Sequence, residues 1–341
     1  MKISVKNLGV LEHSEIDLSK KLNILCGANN TGKTYMAYLV YGWNYLCERH
    51  FNLFDNDLAI NATQNKVFTL DLPHFANFKD MCNVLKKLLG EIFNQEDAFF
   101  QKTIIEVSND FQEATKNRDK LLEERATRYP LPIRESLKIA EDLSRLSQEK
   151  SKYEYLAEEI EKKILKGKIK VNKYGEIQYA PSGTRNVNLP MHVSASMVKS
   201  LSSIVFYFRH LAQEGDLIII DEPELNLHPD MQRAVARLLA RFINEGFKVL
   251  ISTHSDYIIK ELNLLIMLNN PDKSEAKDLQ KKYGYQDNEL LKPEEIGVYL
   301  FKDKHSEIVK VSQEGFEIET IDKEINELNH AFKNIYFSLY N

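Results

Sequence analysis

The chain has 341 residues, of which 43% are hydrophobic and 28% are charged, and its formal net charge is −5. This length is enough for a substantial core in one large domain or two, and the composition is that of an ordinary globular protein. The negative net charge excludes a general electrostatic attraction to nucleic acid, although a local basic groove would still be compatible with it.

The three cysteines, Cys26, Cys47 and Cys82, lack metal-binding spacing, and their number is unlike that of a disulfide-rich secreted domain. Residues 1–5 are typical of a strand and lack the apolar core of a signal peptide. No apolar run approaches the length of a membrane span. The sequence therefore predicts a cytoplasmic protein that has no membrane partner.

Residues 2–26 predict a small strand meander around Gly9. Its last apolar run, residues 22–26, is followed by the pattern Gly-x-x-x-x-Gly-Lys-Thr and then by the helix-compatible residues 35–40. This order of strand, loop and helix is the context in which the pattern forms a P-loop, a backbone cradle for phosphate groups.

The residue types in this loop suit the binding of a triphosphate. Gly27 and Gly32 permit the tight turns that bring backbone N–H groups against phosphate oxygens, and the following helix adds its positive end. Lys33 would reach the β- and γ-phosphates, and the Thr34 hydroxyl would ligate Mg²⁺. The residues predicted to bind the nucleotide here are Gly27, Ala28, Asn29, Asn30, Thr31, Gly32, Lys33 and Thr34.

A long stretch after the P-loop helix has a different character. Residues 66–72 are a further strand candidate, and the chain then becomes rich in Glu, Lys, Leu and Ile. Leu146, Tyr153 and Ile160 recur every seven residues, which indicates a seam for helix packing. Residues 75–166 are therefore predicted to form a helical insertion, either a plain helical subdomain or an antiparallel coiled coil.

The second half of the chain is predicted to return to the core through a hairpin over residues 168–180. Residues 216–223 then form an apolar run that ends in Asp221 and Glu222, which predicts a parallel strand buried on both faces. Ligands collect at the carboxyl ends of such strands. Asp221 is therefore expected to hold Mg²⁺, and Glu222 is expected to act as general base on the attacking water.

A further buried strand is predicted over residues 247–253, and His254 follows it directly. A histidine at the carboxyl edge of a strand can hydrogen-bond a γ-phosphate or orient a water molecule. The predicted catalytic residues are Lys33, Glu222 and His254, and the predicted metal ligands are Thr34 and Asp221.

These three segments, in this order, resemble the ABC-type ATPases of the SMC, recombination-repair and OLD-like group. The resemblance depends on residues 27–34, 217–222 and 252–255, and on residues 224–229, which match the D-loop of that group. It implies an α/β P-loop NTPase fold, an ABC-type ATPase head with a mixed central sheet, that binds ATP and Mg²⁺. It also implies a head-to-tail dimer or higher homo-oligomer, in which a second copy completes each nucleotide pocket.

The family carries a signature motif before an amphipathic helix, and residues 193–201 lie at that place here without its Leu-Ser-Gly-Gly form. Small hydroxyl residues at a helix start can offer caps and free N–H groups to an anion. Ser194 and Ser196 are therefore candidate ligands for nucleotide held by the other subunit, with a plain capped helix as the alternative. The Q-loop glutamine is unassigned, because neither Gln64 nor Gln95 has a strand-to-loop context.

A narrower resemblance, carried by residues 220–229, 253–263 and 314–326, is to the AriA-type ATPase subunits of PARIS antiphage defence systems. It implies an oligomeric switch or scaffold that holds a separate TOPRIM-type nuclease effector until a phage protein triggers its release. The chain itself is not expected to be a nuclease, because its tail lacks the acidic strand end of a TOPRIM domain.

The alternative function is that of an SMC-like DNA-repair ATPase that contacts DNA. An insertion of ~90 residues would give two helical arms of about 50 Å, which are short for tethering DNA. The predicted segments are a core lobe with the P-loop at 1–74, the insertion at 75–166, a second core lobe at 167–270 and an α/β tail at 271–341. The tail is expected to contain a charged linker at 272–294, a hairpin at 296–312 and a final helix.

Overall fold

A computed structural model of the protein describes residues 2–52, 104–108, 150–172, 177–184, 187–270 and 274–340. The strands of this part of the chain are β1 (Lys2–Leu8), β2 (Leu11–Asp17), β3 (Leu22–Cys26), β4 (Ile104–Ser108), β5 (Gly167–Val171), β6 (Ile177–Pro181), β7 (Leu189–Pro190), β8 (Leu217–Asp221), β9 (Lys248–Thr253), β10 (Ile296–Lys302) and β11 (His305–Val309). The α-helices are α1 (Lys33–Asn52), α2 (Glu154–Glu159), α3 (Ser196–Phe206), α4 (Pro229–Asn244), α5 (Asp256–Leu268), α6 (Ala276–Tyr283) and α7 (Glu319–Tyr340).

Eight of these strands form one mixed sheet in the order β4-β1-β2-β11-β10-β3-β9-β8, and β5, β6 and β7 form a small second sheet. Strands β10, β3, β9 and β8 are parallel, whereas β1 is antiparallel to both β2 and β4. The predicted α/β fold with a mixed central sheet is confirmed, as is the hairpin formed by β5 and β6. The predicted opening meander is wrong for β3: β1 and β2 pair as expected, but β10 and β11 lie between β2 and β3.

The register of the parallel strands determines where the functional side chains meet. Cys26 at the end of β3 pairs with Thr253 at the end of β9, and Asp221 at the end of β8 pairs with Ser252. The segments that follow β3, β8 and β9 therefore leave the sheet at the same edge, which is where ligands bind in open α/β sheets.

A hydrophobic core covers each face of the central sheet. Side chains alternate between the two faces along each strand, so neighbouring residues belong to different cores. Ile24 and Ile251 belong to one hydrophobic core, in which Phe208 is fully buried. Leu25 and Leu250 belong to the other core, on which helix α1 packs. No helix in the described ranges combines the length and apolar character that crossing a membrane requires.

Strand β8 differs from its prediction in burial. Its residues are only half-buried, because it lies at the end of the described sheet and pairs with β9 alone. The parallel direction and the apolar character of both faces are as predicted: Ile219 packs against one core and Ile220 against the other. The apolar run indicated a two-sided strand but not its position in the strand order.

Most of the predicted insertion at 75–166, including Leu146, lies outside the described residues, as does the strand candidate at 66–72. The helical prediction is wrong for Ile104–Ser108, which form β4 at the end of the central sheet. This segment is rich in β-branched residues, which favour strands. Within the described residues, the seam also differs from a coiled coil, because Tyr153 and Ile160 are buried in the core.

The predicted charged linker at 272–294 also differs from the observed structure, because it contains helix α6. Arg237 holds the end of this helix: its guanidinium donates to the Gly284 carbonyl at 3.2 Å and lies 3.9 Å from the centre of the Tyr285 ring. The predicted C-terminal hairpin and final helix are confirmed as β10, β11 and α7. The structure of this segment therefore depends on contacts with residues that are distant in the chain, such as Arg237, rather than on a local sequence pattern.

We expect Phe208→Ala to lower the free energy of unfolding by about 3–5 kcal/mol, because it leaves a cavity in a packed core. The Phe208 ring is fully buried, and its centre lies 4.3 Å from that of Phe242 and 5.3 Å from that of Phe247. The measurement is denaturant unfolding followed by circular dichroism. The matched control is Phe337→Ala on the exposed face of α7, which should change this free energy by less than about 0.5 kcal/mol. Equal losses in the two variants would contradict the assignment of this core.

Candidate functional site

The loop between β3 and α1 has the backbone conformation that a P-loop requires. Gly27 and Gly32 have φ angles of +137° and +103°. A Cβ atom at Gly27 would lie 2.3 Å from the carbonyl oxygen of Phe301, and one at Gly32 would lie 2.5 Å from the side chain of Leu11. Only glycine suits these two positions, so the motif spacing follows from the shape of the loop. Helix α1 begins directly after the loop, and its positive end therefore lies at the loop.

Lys33 is the first residue of α1, and its side chain contacts this loop. Its side chain is buried, and its ammonium group donates to the carbonyl oxygens of Gly27 at 3.0 Å and Ala28 at 2.8 Å. Burial lowers the pKa of Lys33, and the nearby carboxylates of Glu222 and Asp221 oppose this shift. The positive charge of Lys33 is therefore balanced by the two acidic residues that follow the apolar run of β8.

The first turn of α1 is hydrogen-bonded to the end of β8. The Thr34 hydroxyl lies 3.1 Å from Oδ2 of Asp221 and 3.4 Å from Oδ1. The Ser252 hydroxyl, from the neighbouring strand β9, donates to Oδ1 of the same carboxylate. Three segments that are distant in the chain thus converge on Asp221.

These oxygen atoms fit a Mg²⁺ ion that is shared with a nucleotide. A hydroxyl and a carboxylate are hard oxygen ligands of the kind that Mg²⁺ prefers. Among the described residues, no group of three or more His, Cys, Asp or Glu side chains could hold a metal ion by itself. A metal ion held by Thr34 and Asp221 would therefore need phosphate and water oxygens to complete its shell, as is usual for Mg²⁺ at triphosphate sites.

Glu222 adopts a strained backbone conformation with φ at +51°. Its amide donates to the backbone oxygen and to the hydroxyl of Ser252, both at 3.1 Å. Its carboxylate Oε1 lies 3.7 Å from Nδ1 of His254, and both side chains remain partly exposed. Strain of this kind costs roughly 1–3 kcal/mol and is concentrated at functional sites, so the position of Glu222 supports a functional role.

Glu224 is a buried carboxylate that joins the loop after β8 to the end of β9. Its Oε1 accepts hydrogen bonds from the Thr253 hydroxyl and from the amide of His254, both at 2.8 Å. The same oxygen lies 3.4 Å from Nδ1 of His254. Its Oε2 is buried and has no hydrogen-bond partner among the described residues. Glu224 therefore holds His254 in place through two hydrogen bonds, one of them to the His254 backbone.

The predicted site residues fall into two groups. Lys33, Thr34, Asp221, Glu222 and His254 lie together at one edge of the sheet, as the contacts above show. The remaining predicted residues of the P-loop, Ala28, Asn29, Asn30 and Thr31, line its turn, and the first three of them are exposed. The Thr31 hydroxyl donates to the Ala28 carbonyl at 2.8 Å, within the loop itself.

The two signature serines differ from their expected role as helix caps. The N-cap of α3 is Ala195, and it makes no side-chain capping hydrogen bond. Ser194 is buried, and its hydroxyl donates to the Pro190 carbonyl at 3.0 Å, within its own turn. Ser196 is the first residue of α3. The binding of nucleotide by Ser194 and Ser196 stays a prediction.

The sequence matches the family described as "AAA ATPase domain" over residues 1–71 and 52–259. The chain belongs to this AAA ATPase domain family. The matched residues include the P-loop, both carboxylates after β8 and His254. The prediction of an ATPase fold is thereby confirmed, and the narrower resemblance to AriA-type subunits stays a prediction.

Individual similarities are weaker than the family match. The Energy-coupling factor transporter ATP-binding protein EcfA of Carboxydothermus hydrogenoformans is 37% identical over 60 residues, which are 17% of this chain and 22% of that protein. The chain thus matches less than a quarter of that relative's length.

Two solved structures also resemble this chain and cover 91% of it. One is an SmcHead bound to the C-winged helix domain of ScpA, with a TM-score of 0.40, 13% identity and 97% of its own length covered. The other is the SMC head domain from Thermotoga maritima, with a TM-score of 0.39, 12% identity and 98% of its length covered.

Several polar residues of the site had no role predicted from the sequence of this AAA ATPase domain. Glu224, Ser252 and Thr253 have roles in the site only because β8 lies beside β9. Gln232, on helix α4, accepts from the Ser255 hydroxyl at 2.5 Å and donates to the Leu227 carbonyl at 2.9 Å. Glutamate and serine are common near strand ends, so their presence there does not predict a role. The only local signal for these residues was that they lie close in sequence to Asp221 or His254.

We expect Glu224→Ala to lower the rate of ATP hydrolysis by about 10²-fold, because a small displacement of a catalytic group has an effect of that size. If Glu224 acts through His254 rather than on the nucleotide, the KM for ATP should stay near the wild-type value. Glu224→Gln should recover part of the rate, because its amide oxygen can still accept from Thr253 and His254. The measurement is steady-state phosphate release for the three proteins.

Thermal or denaturant unfolding of the same three proteins distinguishes this positioning role from a general loss of stability. Glu224→Ala leaves one buried donor, the Thr253 hydroxyl, and one partly buried donor, the His254 amide, without this acceptor, and it should lower the free energy of unfolding by roughly 1–3 kcal/mol. Equal hydrolysis rates for Glu224→Gln and Glu224→Ala would contradict a role that depends on the acceptor oxygen.

Proposed function

We propose that this protein hydrolyses ATP to ADP and phosphate. The observation that carries the proposal is the convergence of Lys33, Thr34 and Asp221, in which the P-loop helix is hydrogen-bonded to the carboxylate at the end of β8. Membership of the AAA ATPase domain family supports it, and so does the short match to a protein described as ATP-binding.

The proposed binding step uses the P-loop. The backbone N–H groups of the loop and the positive end of α1 would surround the β- and γ-phosphates of ATP. Lys33 would move its ammonium group from the loop carbonyls to the phosphate oxygens, which are stronger acceptors because they are charged. Mg²⁺ held by Thr34 and Asp221 would help to neutralise the negative charge of the phosphates.

The proposed hydrolytic step assigns separate roles to Glu222 and His254. Glu222 would accept a proton from the water that attacks the γ-phosphorus, since a positioned carboxylate can act as general base. His254 would donate a hydrogen bond to a γ-phosphate oxygen or to that water. The 3.7 Å separation of their side chains supports joint action on one small region.

The proposed assembly is a head-to-tail pair that closes over ATP and opens after hydrolysis. The Glu222 and His254 side chains are 32% and 43% exposed, so a second copy would have access to this edge of the site. Residues 193–201, including Ser194 and Ser196, would then contribute from the opposite subunit, as the resemblance to ABC-type ATPases implies.

We extend this proposal to a biological role in antiphage defence. In this role the ATP-bound oligomer holds a separate TOPRIM-type nuclease and releases it when a phage protein is sensed. The support is the resemblance of residues 220–229 and 253–263 to AriA-type subunits. A switch of this kind needs ATP binding to stabilise the assembled form, with turnover as a slower second event.

The ATPase proposal predicts different defects for two substitutions. Glu222→Gln should keep ATP binding and lower the hydrolysis rate by about 10²-fold or more, because it removes only the general base. Lys33→Ala should lose ATP binding itself, because it removes the charge inside the P-loop. The measurements are titration with a fluorescent ATP analogue and steady-state phosphate release.

The matched control is Glu317→Gln, an exposed carboxylate after β11, which should keep both binding and turnover at wild-type values. Hydrolysis by Glu222→Gln at the wild-type rate would show that Glu222 is not the general base. ATP binding by Lys33→Ala at wild-type affinity would overturn the assignment of the P-loop.

The switch proposal predicts that ATP changes the assembly. Light scattering of Glu222→Gln should give a larger particle mass with ATP and Mg²⁺ than without them, because ATP is bound but not consumed. Co-expression with the product of the adjacent gene should yield a complex that contains a nuclease subunit. The control is Lys33→Ala, whose mass should not respond to ATP. An ATP-independent mass in Glu222→Gln, together with no co-purifying subunit, would rule out the switch.

A further inference from the structure

The C-terminal helix α7 begins directly after residues that are buried in the core. Phe316 and Ile318, immediately before it, are buried in the core of the protein. From Glu319 the helix continues for 22 residues to Tyr340, a length of about 33 Å at ~1.5 Å per residue. No residue of α7 is buried.

The apolar residues of α7 follow a heptad pattern. Their spacing alternates between four and three residues, which places them along one face of the helix. The residues of this α7 seam are Ile325, Leu328, Phe332, Ile335 and Leu339; Ile321, one step earlier in the same spacing, packs against the core of its own chain. The last four of them are between 60% and 71% exposed. A contiguous apolar surface of this kind marks an interaction site rather than an ordinary solvated helix.

We propose that the α7 seam pairs with the α7 seam of a second copy of this chain, as an antiparallel two-stranded coil. A seam that repeats every 3.5 residues is complementary to another helix with the same repeat. The same residues would then be covered on both copies, as a two-fold symmetric interface requires. This contact does not involve the nucleotide site, so it does not depend on the proposed ATPase function.

The charges along α7 favour the antiparallel orientation. The first half of the helix carries Glu319, Asp322, Glu324 and Glu327 against Lys323, whereas the second half carries Lys333 and no carboxylate. A parallel pair would place the two acidic halves side by side. An antiparallel pair places each acidic half beside the half that contains Lys333, and it also opposes the two helix dipoles.

The residues that flank the seam agree with this orientation. When Ile325 packs opposite Ile335 of the other helix, the flanking Asp322 faces Tyr336 and the flanking Glu324 faces Ser338. Each of these two carboxylates then has a neutral hydroxyl group opposite it instead of another carboxylate. Like charges directly across a helix pair are thus avoided at these positions.

The first test compares the particle masses of two double variants of the full chain by light scattering. All proteins carry Lys33→Ala and are measured without nucleotide, which removes ATP-driven association. Leu328→Asp with Phe332→Asp should halve the mass of the parent protein, because it places charges in the seam. The matched control, Asn326→Asp with Asn334→Asp, adds the same two charges away from the seam and should keep the parent mass.

A monomeric parent protein would overturn the proposal, and so would an unchanged mass in the seam variant. A monomeric parent whose melting temperature falls in the seam variant alone would show that the seam packs within its own chain.

The second test is oxidation of a mixture of Ile325→Cys and Ile335→Cys proteins. Mass spectrometry should find the disulfide between positions 325 and 335, whereas a disulfide between two copies of position 325 would overturn the antiparallel orientation.

Discussion

The site depends on one set of hydrogen bonds, in which the carboxylate of Asp221 joins the first turn of α1 to the end of β9. Thr34 approaches it from the P-loop helix, and Ser252 approaches it from the neighbouring strand. These groups meet only because β3, β9 and β8 are adjacent and parallel, so that their carboxyl ends lie at one edge. The strand order of the sheet is therefore the condition for the chemistry.

Beyond this junction, polar contacts connect the site to the helices that follow β8 and β9. Glu224 bonds to the end of β9 through Thr253 and His254. Gln232 bonds to Ser255, which caps α5 and accepts from the amide of Ile258 at 3.2 Å. These contacts connect the segment around His254 to α4 and α5, and the proposed ATP-dependent switch needs a physical connection of this kind.

The proposals assign contact with another copy to two separate surfaces of the molecule. One is the partly exposed edge that carries Glu222 and His254, and the other is the α7 seam. A chain with a single self-complementary surface stops at a dimer, whereas two such surfaces allow larger closed assemblies. ATP could then control one contact while the other persists, which would keep the chains together through cycles of hydrolysis.

Features that lie within short segments could be predicted from the sequence. The P-loop was predictable because glycine spacing, a preceding apolar strand and a following helix are all local signals, and Asp221, Glu222 and His254 followed from strand ends. Three features became visible only in the folded chain: β8 lies at the end of the described sheet, Ile104–Ser108 join this sheet as a strand, and Glu224 holds His254. The physical reason is distance along the chain: Thr34 and Asp221 are separated by 187 positions, and no local pattern encodes which strands become neighbours.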